Sequence, residues 1–375
     1  MTQPAESIDE PAVELRTRRR GPAPSTVGWI VLFLGVIGTI AIGLSPSPYV
    51  VERPGPVYDV LGSTGTGAKA KPLIGIPSSQ TTYPTTGALD MLTVYVDGQP
   101  QTPVNWISVA MSWFDPSRSV VPMDEVYAPG TTNDEADKQD QVEMASSQQE
   151  ATAAAFTRLG VAYTTTVVVG QVVDGTPAEG VLQAGDELVS VGGVPVTGLA
   201  QLQRAIQAHG TATPLAFQVR RDGALKDVEI SPAVNADTKK PAIGILTGAR
   251  YAFPYTVSFA LSDVGGPSAG MMLALGIYDK LTPGSLTGGA HIAGTGEITA
   301  AGDVGAIGGI RQKMYGARDA GATWFLAPAS NCDEVVGHVP AGLRVVKVST
   351  LEQALADVKA IAAKKASSLP SCTAK

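Results

Sequence analysis

The chain has 375 residues, more than one hydrophobic core usually serves, so two or three domains are expected. Charged residues make up only 16% while glycine (42) and proline (27) are plentiful, which excludes a disordered or coiled-coil protein in favour of folded domains rich in turns. The net charge is -7 and no basic stripe is present, so no nucleic acid is expected as a partner.

In chain order, a tail over residues 1–26 carries the one concentrated basic run, Arg16, Arg18, Arg19 and Arg20. The uncharged apolar stretch 27–44, VGWIVLFLGVIGTIAIGL, follows directly. Its 18 residues lie at the lower end of what spans a bilayer and above the usual core of a cleaved signal peptide. No clear small-x-small cleavage pattern stands before Ser45-Pro46-Ser47-Pro48, so a transmembrane helix over 27–44 is expected, with a removed signal peptide as the alternative. The positive-inside rule then makes this a single-pass protein of the cell membrane, its N-terminus cytoplasmic and everything after about residue 45 outside.

Residues 45–160 are the least specific. Leu89 to Val96 alternate as a strand does and Asp97-Gly98 reads as a hairpin turn, so a membrane-proximal β-containing region is expected. Asp134 to Leu159 lacks proline and glycine and places Ala155, Phe156 and Leu159 at helical spacing. A helix is expected there, its Glu and Gln residues forming a solvated face.

Next come short strands around one helix: Val167 to Val173, Gly185 to Val191, a helix near Leu199 to Ala208, and a hairpin across Asp222-Gly223. Within them, Asp174-Gly175-Thr176-Pro177-Ala178 and Leu182-Gln183-Ala184-Gly185-Asp186 resemble the "GSPA" and "L-x-x-GD" stretches of bacterial PDZ domains. The resemblance covers residues 161–232. It implies a groove that takes an extended peptide, often its C-terminus, as a strand added to a sheet edge. Simple packing against a neighbouring domain is the alternative.

Gly266-Pro267-Ser268-Ala269-Gly270 lies between a strand-like run, Val257 to Leu261, and a helix-like one, Ala269 to Lys280. A serine on such a turn sits at a helix N-terminus, where unpaired N–H groups can stabilise an oxyanion. Alone the motif also fits the nucleophile elbow of an α/β-hydrolase, or an inert glycine-rich turn. A second segment, Gly308 to Asp319, has helix-forming composition after a Gly-Gly start. Ile310, Lys313, Met314 and Ala317 fall on one apolar face, with Arg311, Gln312, Arg318 and Asp319 on the solvated side. Lys313 is the one charge out of pattern. An ammonium held in apolar surroundings loses affinity for its proton, and a neutral amine can deprotonate a serine. A lysine snorkelling along the helix edge is the other reading.

Three blocks in order, Gly266 to Gly270, Thr295-Gly296-Glu297-Ile298 and Gly302 to Lys313, resemble the proteolytic domain of Lon proteases over residues 243–355. The resemblance implies a Ser-Lys serine endopeptidase in which Ser268 is the nucleophile, Lys313 its base, and Thr295 the residue that orients the lysine. It also implies a homo-oligomer, since Lon-type proteolytic domains tend to form rings. One departure concerns the acidic residue usual three positions before the serine, where this chain has Gly265; whether Asp263 replaces it is open. With the PDZ-like module and the expected anchor, the chain looks like the PDZ-containing, Lon-like membrane proteases of Gram-positive and actinobacterial type.

The expected fold class is thus α+β and multidomain: a cytoplasmic tail (1–26), a transmembrane helix (27–44) in contact with the lipid bilayer, the membrane-proximal region (45–160), the PDZ domain (161–232), the Lon-like domain (243–355) and a C-terminal tail (356–375). No cofactor is expected. The chain contains no G-x-x-x-x-G-K-[ST] loop for ATP, so substrates are expected to be unfolded or exposed segments of membrane or secreted proteins, presented by the PDZ domain. Cys332 and Cys372 fall in the part expected outside, where a disulfide persists, and are expected to pair. With two cysteines and three histidines at no ligand spacing, no metal site is expected. Two rivals stay open. One is an α/β-hydrolase using Ser268, an aspartate such as Asp303 or Asp333, and His338; the other is a degenerate, membrane-tethered PDZ scaffold.

Overall fold

The computed structural model describes residues 24–65, 67, 70–261 and 264–373, with the side chains of the first helix from residue 28 on. That helix, α1 (Pro24–Leu44), has 21 residues and no charge, and Trp29, Phe33 and Ile42 project from it at 71%, 66% and 68% exposure. Among the described residues no helix is long and apolar enough to cross a membrane. The stretch expected to span is helical without meeting that requirement, and the arginine run before it lies outside the described residues.

Two folded units follow. The larger is built on a six-stranded sheet whose members come from both ends of the chain. Its N-terminal strands are β1 (Tyr49–Asp59), β2 (Ala88–Asp97) and β3 (Ser119–Pro122), the last reached through a short helix, α2 (Trp106–Ser112). A 27-residue helix, α3 (Asn133–Leu159), then starts on a capping box between Thr132 and Glu135, which satisfies its first free amides.

The second unit has β4 (Thr164–Val172), β5 (Glu187–Val191), α4 (Leu199–His209), β6 (Leu215–Arg221) and β7 (Ala224–Ile230). Asp222 and Gly223, at φ 52 and 80, make the tight turn between β6 and β7. The unit closes with β8 (Ile245–Ala252), giving the order β7-β6-β5-β4-β8 with every neighbour antiparallel. Val169, Leu188, Phe217 and Val219, at alternate strand positions, fill its core with Leu202 and Ile206 of α4.

The chain then returns to the first unit with α5 (Gly270–Leu281), β9 (His291–Gly294), β10 (Glu297–Ile298), α6 (Ile310–Asp319), β11 (Trp324–Pro328), β12 (Arg344–Val348) and α7 (Leu351–Ala362). The large sheet runs β12-β11-β9-β2-β1-β3, parallel from β12 to β2 and antiparallel beyond. From Gly270 to Ile277 helix α5 is apolar on every side, and Met271 to Leu275 are wholly buried, so it forms the centre of the main core.

Residues 45–160 are therefore not a unit of their own. β2 pairs in parallel with β9, placing Leu89 beside Ile292 and Asp90 beside Ala293. The boundary of the second unit also differs from expectation, because β8, from the segment assigned to the Lon-like domain, completes the PDZ-like sheet through eight paired positions with β4. Asp97-Gly98 makes no strand hairpin: β2 ends there, a small Gln99–Thr102 bridge follows, and the strand's partners are β1 and β9. Residues 356–362 belong to α7, with Val358 and Ile361 buried in the main core. Cys332 and Cys372 are joined by a disulfide, and the Pro370 carbonyl accepts the Lys347 amide beside it.

Candidate active site

Ser268 lies at the entry to α5. Gly266 adopts φ 78, a left-handed turn that a side chain resists, and so turns the chain between a strand and the helix. Three contacts fix this turn: the Ser147 hydroxyl of α3 donates to the Pro267 carbonyl (2.8 Å), the Gly266 amide donates to the Asp140 carbonyl (3.0 Å), and the Gly296 amide donates to the Ser268 carbonyl (2.9 Å). Ser268 is half-buried and opens onto a cleft of about 1070 Å³.

Lys313 comes from the first turns of α6. Its helix starts at Gly309, at φ 66, where a Cβ would meet the Val94 side chain at 2.7 Å, so only glycine brings α6 this close to β2. Ile310, Met314 and Ala317 are fully buried, and Lys313 on the same face is 2% exposed. Its Nζ donates to the Ser268 hydroxyl at 2.8 Å and to the Thr295 hydroxyl at 3.2 Å. Thr295, buried after β9, in turn donates to the Ser268 carbonyl at 3.0 Å. The three residues named from sequence are thus brought within hydrogen-bond reach of one another.

Burial removes water from the Lys313 ammonium and pushes it down from 10.5 to about 7; the carboxylates of Glu52 and Glu297 oppose that shift. Lys313 makes no ion pair among the described residues. Near neutral pH a large fraction of it is the free amine, facing a serine hydroxyl. The amides of Ser268 and Ala269 donate to no carbonyl among the described residues, so both are available to a negative oxygen formed beside Ser268.

The other sequence candidates lie elsewhere. His338 Nδ1 faces the Val336 carbonyl of its own loop, the backbone of Asp303 bridges to Thr350, and neither residue lines the cleft onto which Ser268 opens. His291 contacts the buried carboxylate of Asp90. Asp263 lies outside the described residues. The space beside Gly265 is taken by Asp140 of α3, whose Cβ would lie 2.5 Å from a Cβ at position 265, and whose carboxyl burial raises above the usual range.

Two expectations are corrected. Gln312 is not solvated: it is 1% exposed, and in its hydrogen-bonding orientation its amide bridges Ser119 and the Gly309 carbonyl. The Glu and Gln face of α3 is not wholly solvated either, since Glu150 accepts from the Tyr251 hydroxyl (2.6 Å) and from the Ala300 amide. Ser147 and Glu150 sit in a polar run with no local signal to separate them from their neighbours.

Residues 262–361 match the Lon protease (S16) C-terminal proteolytic domain, and residues 138–231 match the PDZ domain. The chain therefore contains a Lon-type proteolytic domain and a PDZ domain. Lon protease 1 of Sorangium cellulosum is 40% identical over 94 residues, 24% of this chain and 11% of that protein. Lon protease 1 of Bacillus subtilis is 36% identical over 93 residues, 24% of this chain and 12% of that protein. The chain thus spans 11% to 12% of the length of these relatives. The PDZ domain of the SdrC-like protein of Listeria innocua is 23% identical, covers 22% of this chain and 92% of that one, and superposes with a TM-score of 0.21.

Proposed function

We propose that the protein is a serine endopeptidase in which Lys313 is the base and Ser268 the nucleophile. The observation that carries this reading is the 2.8 Å contact of a buried, unpaired lysine with the serine hydroxyl. The free amine takes the Ser268 proton as the oxygen attacks a peptide carbonyl, and the resulting ammonium then protonates the leaving amine. Water, deprotonated by the same lysine, hydrolyses the ester and restores Ser268. Thr295 orients the amine, and the amides of Ser268 and Ala269 hold the negative oxygen.

In the same proposal the PDZ domain holds an exposed peptide end. No ATP-binding loop occurs in the chain, so substrates are already unfolded or extended. The uncharged helix α1 attaches the chain to a membrane, with both folded units on the outer side. Its exposed Trp29 and Phe33 and the preceding arginines support that placement. Assembly into a homo-oligomeric ring rests on the resemblance to Lon-type domains.

The test incubates the full chain with casein and compares wild type with Ser268→Ala. Cleavage by the wild type alone is the expected result. Equal cleavage, or none by either, overturns the reading and favours a binding scaffold.

A further inference from the structure

The PDZ sheet ends in two strand edges, β7 and β8, and of the two it is the β8 edge that borders a cavity. β8 ends that sheet with β4 as its single partner among the described residues. Leu246, Gly248, Arg250 and Ala252 are exposed, while Ile245, Thr247, Ala249 and Tyr251 are half-buried. A cavity of about 710 Å³ is lined by Ala249 and Tyr251 of β8 and by Leu199 and Arg204 of α4. It does not stop at the domain: its walls include Glu143, Pro267 and Glu297, and these three residues also line the catalytic cleft.

The junction is tied by side chains. Glu150 accepts from Tyr251 on β8 and from Ala300 next to β10, so one carboxylate joins the end of the open strand to the segment whose Glu297 lines the cleft. Tyr163, Tyr251 and Phe253 pack ring on ring beside it, and Phe156 of α3 continues the stack. Within the catalytic cleft the charge is one-sided. Glu52, Glu125, Asp140, Glu143, Glu297 and Glu334 line the catalytic cleft, where Lys313 is the one basic lining residue among the described residues.

We propose that the open edge of β8 and the catalytic cleft form one continuous track, which takes the tail of a polypeptide substrate as a strand on β8 and leads the adjoining segment, carrying lysine or arginine, past Pro267 to Ser268. The proposal rests on the peptidase reading above. A tail paired along the whole of β8 uses eight residues, about 26 Å at 3.3 Å per residue. The near end of that strand, at Tyr251, is the end tied through Glu150 to the segment that carries Glu297 into the cleft. The scissile bond therefore lies more than eight residues from the held end of the substrate, at a constant distance set by the track and not by local sequence.

The test uses the full chain in detergent micelles and synthetic peptides of about 24 residues with Lys near the centre. Two series carry two or four neutral residues inserted next to the C-terminus or next to the N-terminus. Products are measured by mass spectrometry. In one of the series the cut is expected to move with the insertion, so that the fragment bearing the held end keeps a constant length. Replacing the central Lys by Glu is expected to slow cleavage at least fivefold. A cut that stays with the same peptide bond in both series, or an equal rate for the Glu peptide, overturns the track and leaves the peptidase reading in place.

Absence of any cleavage above the Ser268→Ala background overturns the peptidase reading. The track is then decided by binding of a fluorescent peptide to Ser268→Ala. Adding Ala249→Trp, which fills the groove, is expected to weaken binding at least tenfold, and equal affinity overturns the track.

Discussion

Each folded unit holds a deeply buried charged side chain, Asp186 in one and Lys313 in the other, and these two are handled in opposite ways. In the PDZ unit, Asp186 is 1% exposed and accepts two bonds from the Arg221 guanidinium, both at 2.7 Å, plus the Gln183 amide. Arg221 holds that carboxyl below its usual range. In the catalytic unit, Lys313 is as deeply buried but is given two hydroxyls and no carboxylate partner. A paired charge stays charged and fixes structure; an unpaired one moves its proton equilibrium toward neutral pH, which is what a base requires. The difference separates a structural charge from a reactive one more sharply than burial does.

The largest effect expected from breaking this contrast is on Lys313. Lys313→Met should cut casein cleavage at least a thousandfold, as Ser268→Ala does, because the hydroxyl alone is a weak nucleophile. The same change should raise stability. Between about pH 7 and the unfolded value near 10.4, the unfolded lysine carries a proton that the folded one lacks, so stability falls as pH drops across that window. At pH 7 the native state carries a cost on the order of 4 kcal/mol, which Met removes. A higher melting temperature for Lys313→Met checks this, and a lower one breaks the account of burial.

Arg221→Ala makes the opposite case, since it leaves Asp186 buried and unpaired. A loss of roughly 3–5 kcal/mol is expected in urea unfolding of the PDZ unit. Thr295→Val comes next, with a loss of about a hundredfold in casein cleavage and little change in KM, while Thr295→Ser restores most of the rate. The smallest effect belongs to Glu297→Gln. Its carboxylate favours the ammonium form of Lys313, so its removal should move the acid limb of the pH–rate profile to lower pH by a few tenths of a unit.

Much of the catalytic pair could be read along the chain. Lys313 declared itself because three apolar residues, Ile310, Met314 and Ala317, share its helical face, and the small residues around Ser268 marked a turn into a helix. Local pattern failed where a side chain's fate is decided by distant partners. Gln312 looks solvated until β3 brings Ser119 against it. Glu150 looks like any other glutamate of α3 until β8 and Ala300 arrive on either side. Nothing in residues 88–97 announces a parallel partner at 291–294, so the first part of the chain reads as a separate region when it is half of the catalytic sheet. The PDZ boundary failed for the same reason, since β8 joins β4 across the whole intervening domain.

The central claim is tested most directly by the pH dependence of kcat/KM for casein between pH 6 and 9, measured on wild type, Lys313→Met and His338→Ala. Wild type and His338→Ala are expected to rise together with a midpoint close to pH 7, while Lys313→Met stays flat near zero. A Lys313→Met protein that keeps the rise, or a His338→Ala protein that loses it, would contradict the assignment of Lys313 as the base.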